Sequence, residues 1–164
     1  SELAKQLKLS APRIWKVLGD NRCLFRAVWR SLIDPENYLA YDRGEPMGEG
    51  PAQKEREGAD RLRLKLCLLM HSQLPRLTEI LACDTAVAEV YVKQMEDPKT
   101  WGDAICLHFL PDLIHRPIQV YGYNREEHCL FDAGMHLPND MAKRKEQAIF
   151  LMYNGKCLLW CTDF

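Results

Sequence analysis

Cys23 stands where a short apolar run, Ile14 to Leu18, gives way through Gly19-Asp20-Asn21-Arg22 to a helical pattern that starts at the cysteine itself. A thiol at a helix N-terminus sits at the positive end of the helix dipole, among backbone N–H groups that have no intrahelical partner. Both features favour the thiolate, the form that attacks a carbonyl carbon. The same N–H groups can hold the oxyanion that such an attack develops. The chemistry this placement suits is nucleophilic catalysis by cysteine. It suits a buried thiol at a strand–helix junction equally well, because free cysteine is among the most buried residue types. A reacting thiol also needs a group to take its proton, and that group must come from elsewhere in the chain.

The elements that must position Cys23 follow from periodicity. Residues 2–8 read as a short leading helix, broken at Ser10-Ala11-Pro12, and Ile14 to Leu18 read as a strand. Leu24, Ala27, Val28 and Leu32 carry the helix on from Cys23 until Pro35. Residues 34–53, rich in Pro, Gly and Glu and without a period, read as a loop. Helical spacing returns from Arg56 to Leu74, with Pro75 as its stop, and again from Thr78 or Thr85 to Met95 before a turn at Glu96-Asp97-Pro98-Lys99. Trp101-Gly102-Asp103 opens a further helix, in which Pro111 is expected to cause a kink or a break. Pro117 to Tyr123 read as a strand, Cys129-Leu130-Phe131 as a short one and Ala148 to Tyr153 as a third. Asn154-Gly155 is a hairpin-turn signal, with Cys157 to Cys161 as the returning strand. Helices in the middle with strands around them describe an α+β domain.

Length and composition fit one domain. The chain has 164 residues, 47% of them hydrophobic and 27% charged, and its net charge of −1 gives no electrostatic case for nucleic acid or an anionic membrane. No apolar run approaches spanning length, so no membrane partner is expected. The first residue is Ser1 rather than Met, which suits part of a larger protein. Seven cysteines, an odd number with no C-x-x-C spacing, fit reduced thiols in a cytoplasmic setting better than a disulfide framework. His128, Cys129, Cys157 and Cys161 match no common zinc spacing, so no metal and no cofactor is expected.

Three blocks together resemble the ovarian-tumour (OTU) family of cysteine proteases, most of whose characterised members are deubiquitinases. Gly19-Asp20-Asn21-Arg22-Cys23-Leu24-Phe25-Arg26-Ala27 is similar to the family's G-D-G-N-C-L-F-R-A. Trp101-Gly102-Asp103-Ala104-Ile105, followed by Arg116-Pro117-Ile118-Gln119-Val120-Tyr121, resembles its helix–strand block. Ile149-Phe150-Leu151-Met152-Tyr153-Asn154-Gly155-Lys156 resembles the strand and turn that lead to the catalytic histidine. The resemblance covers residues 12 to 164 of a single domain, 1–164. It implies a papain-related fold: a small central β-sheet flanked by helices, ending in a C-terminal β-hairpin, with 34–74 as a variable, substrate-facing arm.

Carried over by position, the resemblance makes Cys23 the nucleophile, with Asp20 and Cys23 in the oxyanion loop. It makes ubiquitin or a ubiquitin-like protein the partner. The activity implied is that of a thiol-dependent isopeptidase, acting in the cytoplasm (of a host, for a viral or bacterial chain). Trp101 reads as a core anchor. Glu45, Glu49, Glu55 and Glu57 are the acids available to the basic tail of a modifier.

The pattern breaks at the base. Where the family has its histidine and, two residues on, the residue that orients the ring, this chain has Cys157 and Leu159. The family's Gly-Asn has become Asn21-Arg22. Impaired catalysis follows, or a non-catalytic module that binds ubiquitin or serves a structural purpose in a larger protein. Of the five histidines, His128, His136 and His108 are the candidates for an alternative base. His71 reads as a helix-surface residue and His115 as a helix cap.

Overall fold

In a computed structural model, the structure describes residues 13–33, 49–153 and 158–162, with side chains over 17–33 and 53–153. The leading helix expected at 2–8, the first part of the 34–53 loop, the Asn154-Gly155 turn and Cys157 lie outside the described residues.

The described elements run β1 (Arg13–Lys16), α1 (Cys23–Leu32), α2 (Glu49–Ser72), α3 (Leu74–Leu81), α4 (Thr85–Glu96), α5 (Cys106–Ile114), β2 (Ile118–Asn124), β3 (Cys129–His136), a 3-10 turn at Lys143–Lys145, β4 (Ile149–Tyr153) and β5 (Leu158–Thr162). The strands form one five-stranded sheet in the order β1-β5-β4-β2-β3. β2 and β4 are parallel, and the other neighbours are antiparallel. The chain is α+β, as its pattern of elements indicates.

The first turns of α1 are buried all round: Cys23, Leu24, Phe25, Arg26, Ala27 and Val28 are all inside. α1 lies between α2 on one side and strands β4 and β5 on the other, so its first residue, Cys23, is set at the junction of both layers. Leu62, Leu66 and Met70 of α2 and Ile118, Val120, Ile149 and Leu151 of the sheet complete this core.

Four boundaries differ from the sequence reading. α2 begins at Glu49, inside the stretch expected to be loop, because a proline at its third residue falls in the first turn, where its missing N–H breaks no helical bond. Pro75 opens a separate helix, α3, instead of closing α2, and the break between them falls at Gln73. α5 starts only at Cys106 and runs on past Pro111 to Ile114, held by its buried flank of Cys106, Leu107, Phe109 and Leu110. β3 extends five residues beyond the three expected, pairing with β2 as far as His136. Most of its outer residues are exposed, so they carry no apolar signal. A register shift next to Val120 also breaks the simple alternation.

Candidate active site

The loop before α1 is built around Asp20. Its carbonyl accepts the Cys23 N–H at 3.1 Å, and its Oδ1 accepts the Arg22 N–H at 3.0 Å. Asp20 thus does the work of a helix cap that Arg22 cannot do with its own side chain. Arg26, one turn into α1, grips the Asp20 carboxylate through Nε and through Nη2, the latter at 2.9 Å. Partial burial pushes the Asp20 pKa up, but the hydrogen bonds and charge of Arg26, with the Arg22 amide, outweigh it and hold the carboxyl below its ordinary value. Arg26 also reaches Glu55 Oε1 at 3.1 Å, and Arg30 holds the other Glu55 oxygen. Glu55 is fully buried. It is therefore not one of the acids open to a basic tail, as the sequence reading had it; charge pairing has drawn it inside.

Cys23 is 4% exposed and lines a cavity of about 300 Å³. The wall is apolar: Leu24 and Leu107 from the helices, Val120 and Ala133 from β2 and β3, and Tyr153 from the end of β4. Trp101 lines it too and is half exposed, so it stands at the rim of the cavity instead of anchoring the core. Gly102 is the residue that packs inward. A Cβ there would come within 2.8 Å of Leu24 and 2.9 Å of Phe25, so only glycine lets this segment lie against α1.

Asp103 is the one carboxylate in the described lining. Its Oδ1 accepts the Tyr91 hydroxyl at 2.7 Å and the Ile105 and Cys106 amides at the start of α5. Burial first, and then the neighbouring Asp103 charge, push the Cys106 thiol up to about 12. Burial likewise lifts Cys67 to about 11. These are packing thiols, inert at neutral pH.

No histidine lines the cavity among the described residues. His108 and His136 meet each other edge to face, with centroids 5.9 Å apart, across the α5–β3 contact. His128 is in a left-handed turn and bonds the Tyr123 hydroxyl at 3.3 Å. His115 ends α5 with a positive φ of 58°. His71 is exposed at the end of α2. The three histidines named as alternative bases, His108, His128 and His136, each have a local contact of their own and are not among the described lining residues. Asp103, Trp101 and Tyr153 are among the lining residues that sequence reasoning did not assign to the site. The Trp-Gly-Asp run was visible, but nothing in it says that the glycine, not the indole, packs inward.

The His108–His136 contact has a measurable consequence. Burial, and then the charge of His108, pull the His136 pKa below its ordinary value. The folded state therefore binds fewer protons here than the unfolded chain. That stability is complete above the unfolded value of about 6.5 and is lost as pH falls from there through the folded pKa. Urea midpoints at pH 7.5 and 5.5 should show a larger acid loss in the wild type than in His136→Gln. Equal losses would remove this pair from the acid sensitivity.

A family model described as OTU-like cysteine protease matches residues 18–158. No curated protein matches the chain. Among solved structures, the OTUD1 OTU domain superposes with a TM-score of 0.67 at 16% identity, covering 97% of this chain and 91% of that one. The viral OTU domain protease from Taggert virus gives 0.62 at 12% identity, covering 92% of this chain and 78% of that one. An OTU deubiquitinase from Wolbachia pipientis wMel, solved bound to ubiquitin, gives 0.60 at 12% identity, covering 93% and 96%. At these identities the likeness is one of fold.

Proposed function

We propose that this chain, which belongs to the OTU-like cysteine protease family, recognises ubiquitin or a ubiquitin-like protein at the Cys23 cavity and is impaired in hydrolysis. The observation that carries this reading is a nucleophile cavity with no imidazole in its described lining, in a chain that has Cys157 at the family's histidine position. The ubiquitin-bound structure of the Wolbachia protein supports the choice of partner.

The chemistry explains the impairment. For Cys23 to attack a carbonyl carbon, its thiol proton must pass to a base and then to the leaving amine, after which water cleaves the thioester. A thiol at position 157 does not carry a proton this way at neutral pH. Asp103 is a poor substitute. Its Oδ1 is committed to Tyr91 and two amides, and a negative charge beside a thiol disfavours the thiolate.

A second reading, a non-catalytic ubiquitin-binding or protein-interaction module, is favoured by one further observation. The amides of Arg22 and Cys23, in the loop that the resemblance assigns to the oxyanion, both turn onto Asp20.

Titration of isotope-labelled ubiquitin, followed by NMR, tests recognition apart from chemistry. The Cys23→Ala domain should shift the C-terminal tail resonances of ubiquitin with wild-type affinity, and Trp101→Ala should weaken the effect. A titration with no saturable shift would remove ubiquitin as the partner.

A further inference from the structure

Three charged residues on α2 act on three successive residues of the loop before α1, two directly and Glu55 through Arg26. Glu55 takes Arg26, and Arg26 holds Asp20. Asp60 takes Arg22 through Nε at 2.6 Å and Nη2 at 3.2 Å. Arg63 donates Nη2 to the Asn21 carbonyl at 2.9 Å. It donates Nη1 to the Met95 carbonyl at 3.1 Å and lies 4.4 Å from the centre of the Phe25 ring.

Arg63 is only 1% exposed, and among the described residues its Nε has no hydrogen-bond partner. Burying a guanidinium on carbonyls and a ring carries a large desolvation cost, and a hydrophobic residue would fill such a core site without it. What Arg63 does that an apolar side chain cannot is hold a loop carbonyl. From the other side, the Asn21 side chain bonds the Lys99 carbonyl. Asn21 and Arg22 are the residues at which this chain departs from the family's Gly-Asn, and both are gripped.

We propose that Glu55, Asp60 and Arg63 are positioning residues, a clamp from α2 that holds the Asp20–Cys23 loop with the Arg22 and Cys23 amides turned onto Asp20. An oxyanion site needs such N–H groups facing the attacked carbonyl. The clamp therefore decides whether they are presented to the cavity. Its bearing on catalysis rests on Cys23 being the nucleophile, while its test needs no ubiquitin.

The test is backbone amide hydrogen exchange in wild type, Asp60→Asn, Asp60→Glu and Arg63→Met, with Cys23 alkylation followed in the same samples. Asp60→Asn is expected to speed exchange at Arg22 and Cys23 on the order of tenfold, leaving β2 and α5 unchanged, as befits a local opening. Asp60→Glu restores slow exchange, and iodoacetamide labels Cys23 faster in Asp60→Asn relative to Cys129. Arg63→Met should show the larger local effect. Should it fail to fold, the partly exposed Asp60 pair decides alone. Unchanged exchange at both amides in Asp60→Asn, or Asp60→Glu exchanging as fast as Asp60→Asn, overturns the clamp. Amides that respond while Cys23 stays inert in every variant uphold the clamp and refute the nucleophile reading.

Discussion

Cys157→His combined with Leu159→Asn is expected to raise Cys23-dependent hydrolysis of a ubiquitin C-terminal amide by about 10²-fold or more, the contribution typical of a positioned general base. β4 ends at Tyr153, which lines the Cys23 cavity, and Tyr153 pairs with Leu158, the first residue of β5. Position 157 is adjacent in sequence to a residue whose backbone neighbour borders the cavity. An imidazole there would take the thiol proton and return it to the leaving amine. Asn at 159 supplies the group that fixes the ring, without which an imidazole samples unproductive tautomers. Initial rates for the wild type, the double variant and the double variant with Cys23→Ala measure the effect. A double variant no faster than the wild type would mean that the missing base is not what limits the chain.

The second large effect is on stability. Glu55→Ala is expected to cost about 3–5 kcal/mol, the range for removing one partner from a buried charge pair. Glu55 is fully buried, with its oxygens on Arg26 and Arg30. Both cations sit on the inner face of α1 beside Leu24, Ala27 and Val28, so deleting the carboxylate removes a buried counter-charge from both, Arg26 keeping Asp20. Urea unfolding of wild type, Glu55→Ala and Glu57→Ala measures it. Glu57 lies at the exposed surface of the same helix, so its substitution should fall within about 0.5 kcal/mol. A Glu55→Ala cost below 1 kcal/mol would show that the buried pairs contribute nothing net.

What the sequence made legible was the framework. The strand–turn–helix around Cys23, the strands that become β2 and β4, and the α+β class all follow from apolar spacing and three short blocks; that β2 and β4 pair in parallel does not. The resemblance places Asp20 in an oxyanion loop, but nothing in the sequence shows it as the acceptor of the Cys23 and Arg22 amides, since that depends on how one peptide turns. Arg63 lies beside the apolar stripe of Leu62, Leu66, Leu69 and Met70, and nothing in that spacing marks it as buried. Its burial follows from three carbonyls and a ring contributed by distant segments, which no local period reports. The surroundings of the histidines named as alternative bases are set by the packing of α5 on β3 and by the β2–β3 turn, not by spacing in the chain. Pro75 misled because proline both ends helices and begins them.

Under the proposed function, the Cys23 cavity receives a ubiquitin-type tail while hydrolysis is impaired by the replacement of the family's histidine with Cys157. Incubation of the wild-type domain with ubiquitin carrying a C-terminal electrophile, followed by peptide mass spectrometry, addresses it most directly. The account predicts a single adduct, on Cys23, forming more slowly than in the Cys157→His/Leu159→Asn variant. No adduct in either protein, or attachment to another of the cysteines, would contradict it.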